Sequence, residues 1–250
     1  MDFLSVFSIG QLIAIGLIFI WTGFVRSGIG FGGAALGLPL LLLVDDEPLI
    51  FLPIIGTHLL IFTSLTLASR VQNICWPVVW RVMLVLLVPK IAGLVGLFSF
   101  PNLWLVIAVF CITLFYGLTW VFDYKIKSNS KFVDIFLLAL GGYVSGTSLI
   151  GAPLIAAVVA KQVSRIQLRE TLFVLWIILV IFKMGGFVIY DVDLQWKFSL
   201  ALLPLVTIGH IIGLRVHDYL LQTESTTFHR YLGVSLIIVS SAGLFKYLFE

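Results

Sequence analysis

The polar chemistry of this 250-residue sequence is concentrated in two small-residue clusters set among apolar residues. The first is Arg26-Ser27-Gly28-Ile29-Gly30-Phe31-Gly32-Gly33; the second is Ser145-Gly146-Thr147-Ser148, followed by Gly151. A helix that starts at such a cluster presents several free N–H groups and about half a positive charge. Glycine lets a ligand approach those amides closely, which makes Gly28, Gly30, Gly32, Gly33 and Gly151 candidate anion-binding positions. Arg26 adds a full charge and a planar fork of donors suited to a carboxylate, sulfonate or phosphate group. Ser27, Ser145, Thr147 and Ser148 can donate hydroxyl bonds. The pattern points to a site for a small oxyanion.

Other polar side chains inside apolar stretches each carry two readings. Arg26 either lines a polar site at membrane depth or snorkels to the headgroups. Thr57 and His58 sit near the middle of one stretch and are candidate substrate contacts; His58 and His210 either exchange protons or hydrogen-bond across helices. Lys90 either faces a cavity or snorkels. Lys183, in Lys183-Met184-Gly185-Gly186, is read as an interfacial residue, and His217 and His229 as solvated groups flanking a loop. Trp21 and Trp176 either line a central cavity or pack between helices.

Several kinds of chemistry find no support. Cys75 and Cys111 lack metal-type spacing and are read as packing residues, so no metal site or disulfide framework is expected. No P-loop, HExxH motif or intramembrane carboxylate pair occurs, all twelve acids being placed in loops or at span ends. A serine (Ser27 or Ser148) paired with His58 is the one catalytic arrangement left, and it ranks below transport. No catalytic residue, cofactor or nucleic-acid partner is therefore expected.

The elements that must position the two clusters lie in a membrane. The chain is 61% hydrophobic and 11% charged, whereas a soluble domain carries about 25% charged residues. The opening Met1-Asp2-Phe3-Leu4-Ser5 has no basic n-region, so the first apolar segment is expected to remain in the mature protein. Residues 10–44 form an apolar run too long for one span of about 20 residues and too short for two with a loop. The first cluster divides it into pieces of about 24 Å and about 21 Å, each short of a hydrocarbon core of about 30 Å. Non-helical backbone at that depth needs protein or a polar cavity around it, as in a re-entrant hairpin. Single spans follow over 49–69, 77–98 and 103–122.

The second half repeats the order: short pieces over 132–146 and 150–160, then spans over 166–190, 196–216 and 228–249. A shift of 118 positions (Gly23 to Gly141) also carries Ser27 onto Ser145, Gly28 onto Gly146 and Gly33 onto Gly151. The expected domains are a first repeat over 1–124, a cytoplasmic linker over 125–131 and a second repeat over 132–250, forming one membrane domain. If each short pair returns to its starting side, Arg70, Arg81, Lys125, Lys127, Lys131, Lys161, Arg165, Arg169, Arg215 and Arg230 share one face. Lysine and arginine excess marks the cytoplasm, which places both termini outside. Three full spans then follow each pair, so the halves insert in opposite directions. The expected fold is an all-α polytopic membrane protein with two inverted-topology repeats, each a pair of short broken helices followed by three transmembrane helices.

The glycine-rich break with Pro39, the break ending in Gly151-Ala152-Pro153, and the central threonines in Gly56-Thr57-His58 and Glu170-Thr171-Leu172 resemble the TauE/SafE sulfite exporter family, also called the toluene sulfonate uptake permease family. In the second break Gly151 stands alone where the family has consecutive glycines. The resemblance spans nearly the whole chain and implies a bacterial inner-membrane transporter of sulfur-containing anions such as sulfite, sulfoacetate or other organosulfonates. With the midplane anion site drawn from the breaks, the expected protein is a secondary transporter, acting as an exporter. An anion channel of the same architecture and an intramembrane enzyme are the alternatives. The expected partners are a small anionic substrate, the lipid bilayer and, as one option, a second copy of the chain in a homodimer.

Overall fold

The computed structural model describes residues 7–29, 33–124, 130–222 and 226–249. They form helices α1 (Ile9–Ile29), α2 (Gly33–Val44), α3 (Pro48–Ala68), α4 (Trp76–Ser99), α5 (Asn102–Val121), α6 (Lys131–Ser148), α7 (Ala152–Val159), α8 (Arg165–Ile189), α9 (Trp196–Gln222) and α10 (Thr226–Phe249), with a 3-10 turn over Val71–Asn73 between α3 and α4. Seven helices are long and apolar enough to cross a membrane, namely α1, α3, α4, α5, α8, α9 and α10. The helix starts have local causes. The Ser130 hydroxyl accepts from the Phe132 amide, Ser164 and Gln167 cap α8 reciprocally, and Pro77 and Pro153 occupy first-turn positions where no N–H is needed.

The two breaks are tighter than the sequence suggests. The helix that starts at Ile9 continues through Arg26, Ser27 and Gly28 to Ile29. It is 21 residues long and about 31 Å in length, so the first piece is not too short to cross, contrary to expectation. In the second half, Ser145 to Ser148 are the last turn of α6, and the turn proper is Leu149 to Gly151. Leu149 closes it in the left-handed region at φ 61°, a conformation that a leucine holds only where its surroundings enforce it. Gly30 and Gly32 lie outside the described residues, as does most of the expected linker at 125–131.

By contacts the helices gather into two compact units, and neither coincides with one half of the sequence. One unit holds α1, α2, α5, α9 and α10; the other holds α3 from Leu52 onward, α4, α6, α7 and α8. In the first unit α1 packs chiefly on α9, and α5 on α10. In the second, α6 packs chiefly on α4, which also meets α8. Each break helix is thus held by a helix from the opposite half of the sequence.

Small residues make these contacts close. Gly209 lies against the Ile20 carbonyl, Gly213 against Phe24 and Ser27, and Gly28 against Gly213. Equivalent approaches join Gly142 to Leu86, and Gly146 to Gly93 and the Lys90 carbonyl. Gly209 and Gly213, like Gly142 and Gly146, are four residues apart on one face, the spacing that lets membrane helices touch backbone to backbone. The outward faces are apolar: α4 exposes Leu84, Val88, Ile91 and Val95 while burying Val82, Leu86, Lys90, Gly93 and Leu97. Such an outer face suits lipid.

Two consequences can be measured. Gly209→Ala would drive a methyl into the Ile20 backbone and is expected to lower unfolding stability in detergent by about 3 kcal/mol. Gly185→Ala, whose new carbon meets no neighbouring helix and which lies inside α8, should instead raise it by about 0.5–1 kcal/mol. At the α2–α3 turn, burial and the neighbouring Asp46 and Asp45 push the Glu47 carboxyl above its usual range. The fold therefore favours the protonated group, and that contribution is lost as pH rises through the raised value. Glu47→Gln should raise the unfolding temperature slightly at neutral pH and leave it unchanged in acid.

Candidate functional site

A helix that ends inside an apolar environment leaves its last carbonyls without intrahelical partners, and each must find a donor. At the end of α6 the donors are lysines. Lys90, from α4, donates through Nζ to the Ser145 carbonyl at 2.8 Å and to Ser145 Oγ at 3.0 Å. Lys183, from α8, donates to the Gly146 carbonyl at 2.7 Å. Both lysines are 0% exposed, so neither snorkels and Lys183 is not interfacial. Thr147 Oγ1 and Ser148 Oγ each donate to the Val144 carbonyl, at 3.0 Å in both cases. Those two hydroxyl hydrogens are spent on their own helix, whereas Ser145 Oγ accepts and keeps its hydrogen for another acceptor.

The other unit solves the same problem with one histidine, His217, while a second, His210, bonds the neighbouring serine hydroxyl. Ser27 Oγ and His210 Nδ1 are 2.6 Å apart, and His217 Nδ1 donates to the Gly28 carbonyl at 2.7 Å. Both histidines come from α9, two turns apart and so on one face. Arg26, Ser27, His210 and His217 are all buried, and Arg26 lies close enough to His210 to act on it electrostatically. Gly33, the first residue of α2, packs against the Arg26 side chain. His217 is thus enclosed rather than solvated; the His229 side chain lies outside those described.

The two arrangements correspond by position. The shift that carries Ser27-Gly28 onto Ser145-Gly146 is 118 residues, and a shift of 120 carries Lys90 onto His210 and Gly93 onto Gly213. In both units a Ser-Gly pair at a helix end is held by a basic residue and a glycine of a helix from the opposite half.

Of the residues singled out by sequence, Arg26, Ser27, Gly28, Gly33 and His210 come together in one unit, and Lys90, Ser145, Thr147, Ser148 and Gly151 in the other. Thr57 and His58 belong to the second unit. Gly56, just before them, packs on Met184, the neighbour of Lys183. Thr57 Oγ1 donates back to the Pro53 carbonyl at 2.9 Å, and His58 lies edge-on to Phe62. Trp176 is buried with no partner for Nε1 among the described residues, two turns from Lys183 on α8. Cys111 is exposed rather than packed.

Sequence reasoning missed Lys183, His217 and an enclosed ion pair. Arg169 Nη2 donates to Glu170 Oε1 at 3.1 Å, and Arg70 Nη1 approaches the same oxygen at 3.9 Å. Beside it, Thr171 Oγ1 accepts from the Cys75 amide at 3.1 Å. Together these bonds tie the segment between α3 and α4 to the start of α8. The adjacency of opposite charges in Arg169-Glu170 was the available signal.

A sequence model of the family described as Sulfite exporter TauE/SafE matches residues 15–243, nearly the whole chain. Neither the curated proteins nor the solved structures compared with the chain give a match.

The cap on the first break yields a test. His217→Ala leaves the Gly28 carbonyl without its donor, expected to cost about 1–3 kcal/mol locally. Amide hydrogen exchange should quicken over residues 26–29 and stay unchanged over 145–148, and His217→Gln, which restores a donor, should reverse part of the effect.

Proposed function

The chain belongs to the sulfite exporter TauE/SafE family, and on that premise we propose that it is a secondary transporter carrying small sulfur-containing oxyanions such as sulfite, sulfoacetate or other organosulfonates. The observation that carries this reading is the basic cap on each broken helix: Lys90 and Lys183 on the Ser145 and Gly146 carbonyls, and His217 on the Gly28 carbonyl with His210 bonded to Ser27 Oγ beside it. A break brings a negative helix end and a positive helix start into the same few ångströms. Occupying the terminal carbonyls with donors silences the negative end. What remains is the start of the next helix, α2 or α7, together with the charges of Arg26 and the lysines. That balance favours an anion over a cation.

In this reading the two halves are inverted repeats, and the anion is bound at the helix breaks. Arg26, Ser27, Gly28, Gly30, Gly32, Gly33, Thr57, His58, Lys90, Ser145, Thr147, Ser148 and Gly151 are its candidate contacts, with His58 and His210 available for proton coupling. The protein sits in the inner membrane with both termini outside. A negative-inside potential drives an anion outward with about 2.3 kcal/mol per charge for each 100 mV. Export needs no further coupling, whereas uptake does, so export is the proposed direction.

Thermal-shift measurements on purified protein should show stabilisation by sulfite or an organosulfonate and little by simple carboxylates. Reconstituted vesicles should show saturating counterflow. Arg26→Ala is expected to abolish binding and Arg26→Lys to weaken it on the order of tenfold. Normal flux from both variants would remove Arg26 from the site.

A further inference from the structure

The lysines at the end of α6 do more than cap it. A lysine ammonium carries three N–H donors. Lys90 uses two, on the Ser145 carbonyl and Oγ; Lys183 uses one, on the Gly146 carbonyl, and lies over the Phe187 ring at 5.7 Å. One N–H of Lys90, two of Lys183 and the Ser145 hydroxyl hydrogen are left over, all on side chains enclosed by protein. Buried donors are rarely left unmatched. Among the described residues no carboxylate is bonded to either lysine: Glu170 is engaged by Arg169 and Asp134 by Lys161, while Asp191 and Asp193 are exposed beyond the end of α8. The two ammonium groups bond to successive residues and act on each other electrostatically. Two lysines at that spacing in an apolar surrounding keep both charges only beside a counterion of equal charge.

We propose that Lys90, Lys183 and Ser145 form a clasp for a compact, doubly charged oxyanion, so that the protein discriminates dianions such as sulfite in its fully ionised form, sulfate or thiosulfate from singly charged sulfonates. This rests on the sulfur-oxyanion reading above and narrows its substrate class by charge. A pyramidal or tetrahedral oxyanion offers several acceptors within one small volume, which suits donors converging from α4, α6 and α8. A monosulfonate cancels only one of the two charges and leaves the other enclosed and uncompensated. In the conformation described the clasp is shut, so loading requires α6 to part from α4 or α8.

Calorimetric titration of purified full-length protein tests this, with sulfate, thiosulfate and, at mildly alkaline pH, sulfite as dianions and methanesulfonate as the monoanion. Wild type should bind the dianions at least about tenfold more tightly than methanesulfonate. Lys183→Gln keeps a donor for the Gly146 carbonyl but removes the charge. It should erase most of that preference by weakening the dianions, while methanesulfonate, which then meets a single charge, binds no more weakly than to wild type. Lys183→Arg should restore the preference, and Lys90→Gln should act as Lys183→Gln does. If wild type binds both classes equally, or if Lys183→Gln keeps the preference, the lysines are helix caps only and the transporter reading survives without the clasp. If wild type binds no sulfur oxyanion of either class, both fall together.

Discussion

The structure depends on one constraint, the need to satisfy the last carbonyls of a helix that stops where water is scarce. Each unmet carbonyl there costs as much as a lost hydrogen bond together with its desolvation. The described residues meet it twice, with the His217 imidazole at Gly28 and with lysine side chains at Ser145-Gly146. The rest of the packing serves that need. Gly93 and Gly213 bring α4 and α9 close enough for Lys90 and His210 to reach, and a methyl at either glycine would meet the backbone of the break helix.

The same constraint explains why the units cross the boundary between the halves. A break helix cannot cap itself, because its own next residues are the turn and the short helix beyond it. The donors must come from elsewhere, and here two of the three come from a helix two or more elements away in the opposite half, the exception being Lys183 in the same half as α6. A scheme that borrows caps in this way makes neither half self-sufficient, so the two stretches of sequence have to fold in concert.

Much of the fold was legible because apolar runs of span length have few alternatives in a membrane. The limits of α3, α4, α5 and α8 fall within a residue or so of the runs read from sequence. The break positions were not legible. Glycine and serine lower helix propensity, which drew the first break back to Arg26, but capping from α9 outweighs propensity and carries α1 to Ile29. His217 was misplaced for a related reason. The helix α9 outlasts its apolar run and reaches Gln222, so a residue past the last hydrophobic stretch is still covered by the end of α1. Lys183, read as interfacial because it lies near the outer end of its span, is wholly enclosed by neighbouring helices, which no pattern in its own segment shows. No periodicity in a single sequence links Ser27 to His210 or Ser145 to Lys90. The near-equal shifts of 118 and 120 become meaningful only once the helices are seen to cross-pair.

The difference between the two caps then separates two jobs that the sequence presented as one. A histidine can donate to a carbonyl while neutral, so at the first break capping and charge fall to different residues, with the always-charged guanidinium of Arg26 held one position from Ser27. At the second break no arginine accompanies Ser145, and capping and charge both fall to the lysines. The halves therefore share a backbone solution while distributing basic groups differently, one arginine against two lysines. An anion that neutralises one arrangement does not automatically neutralise the other.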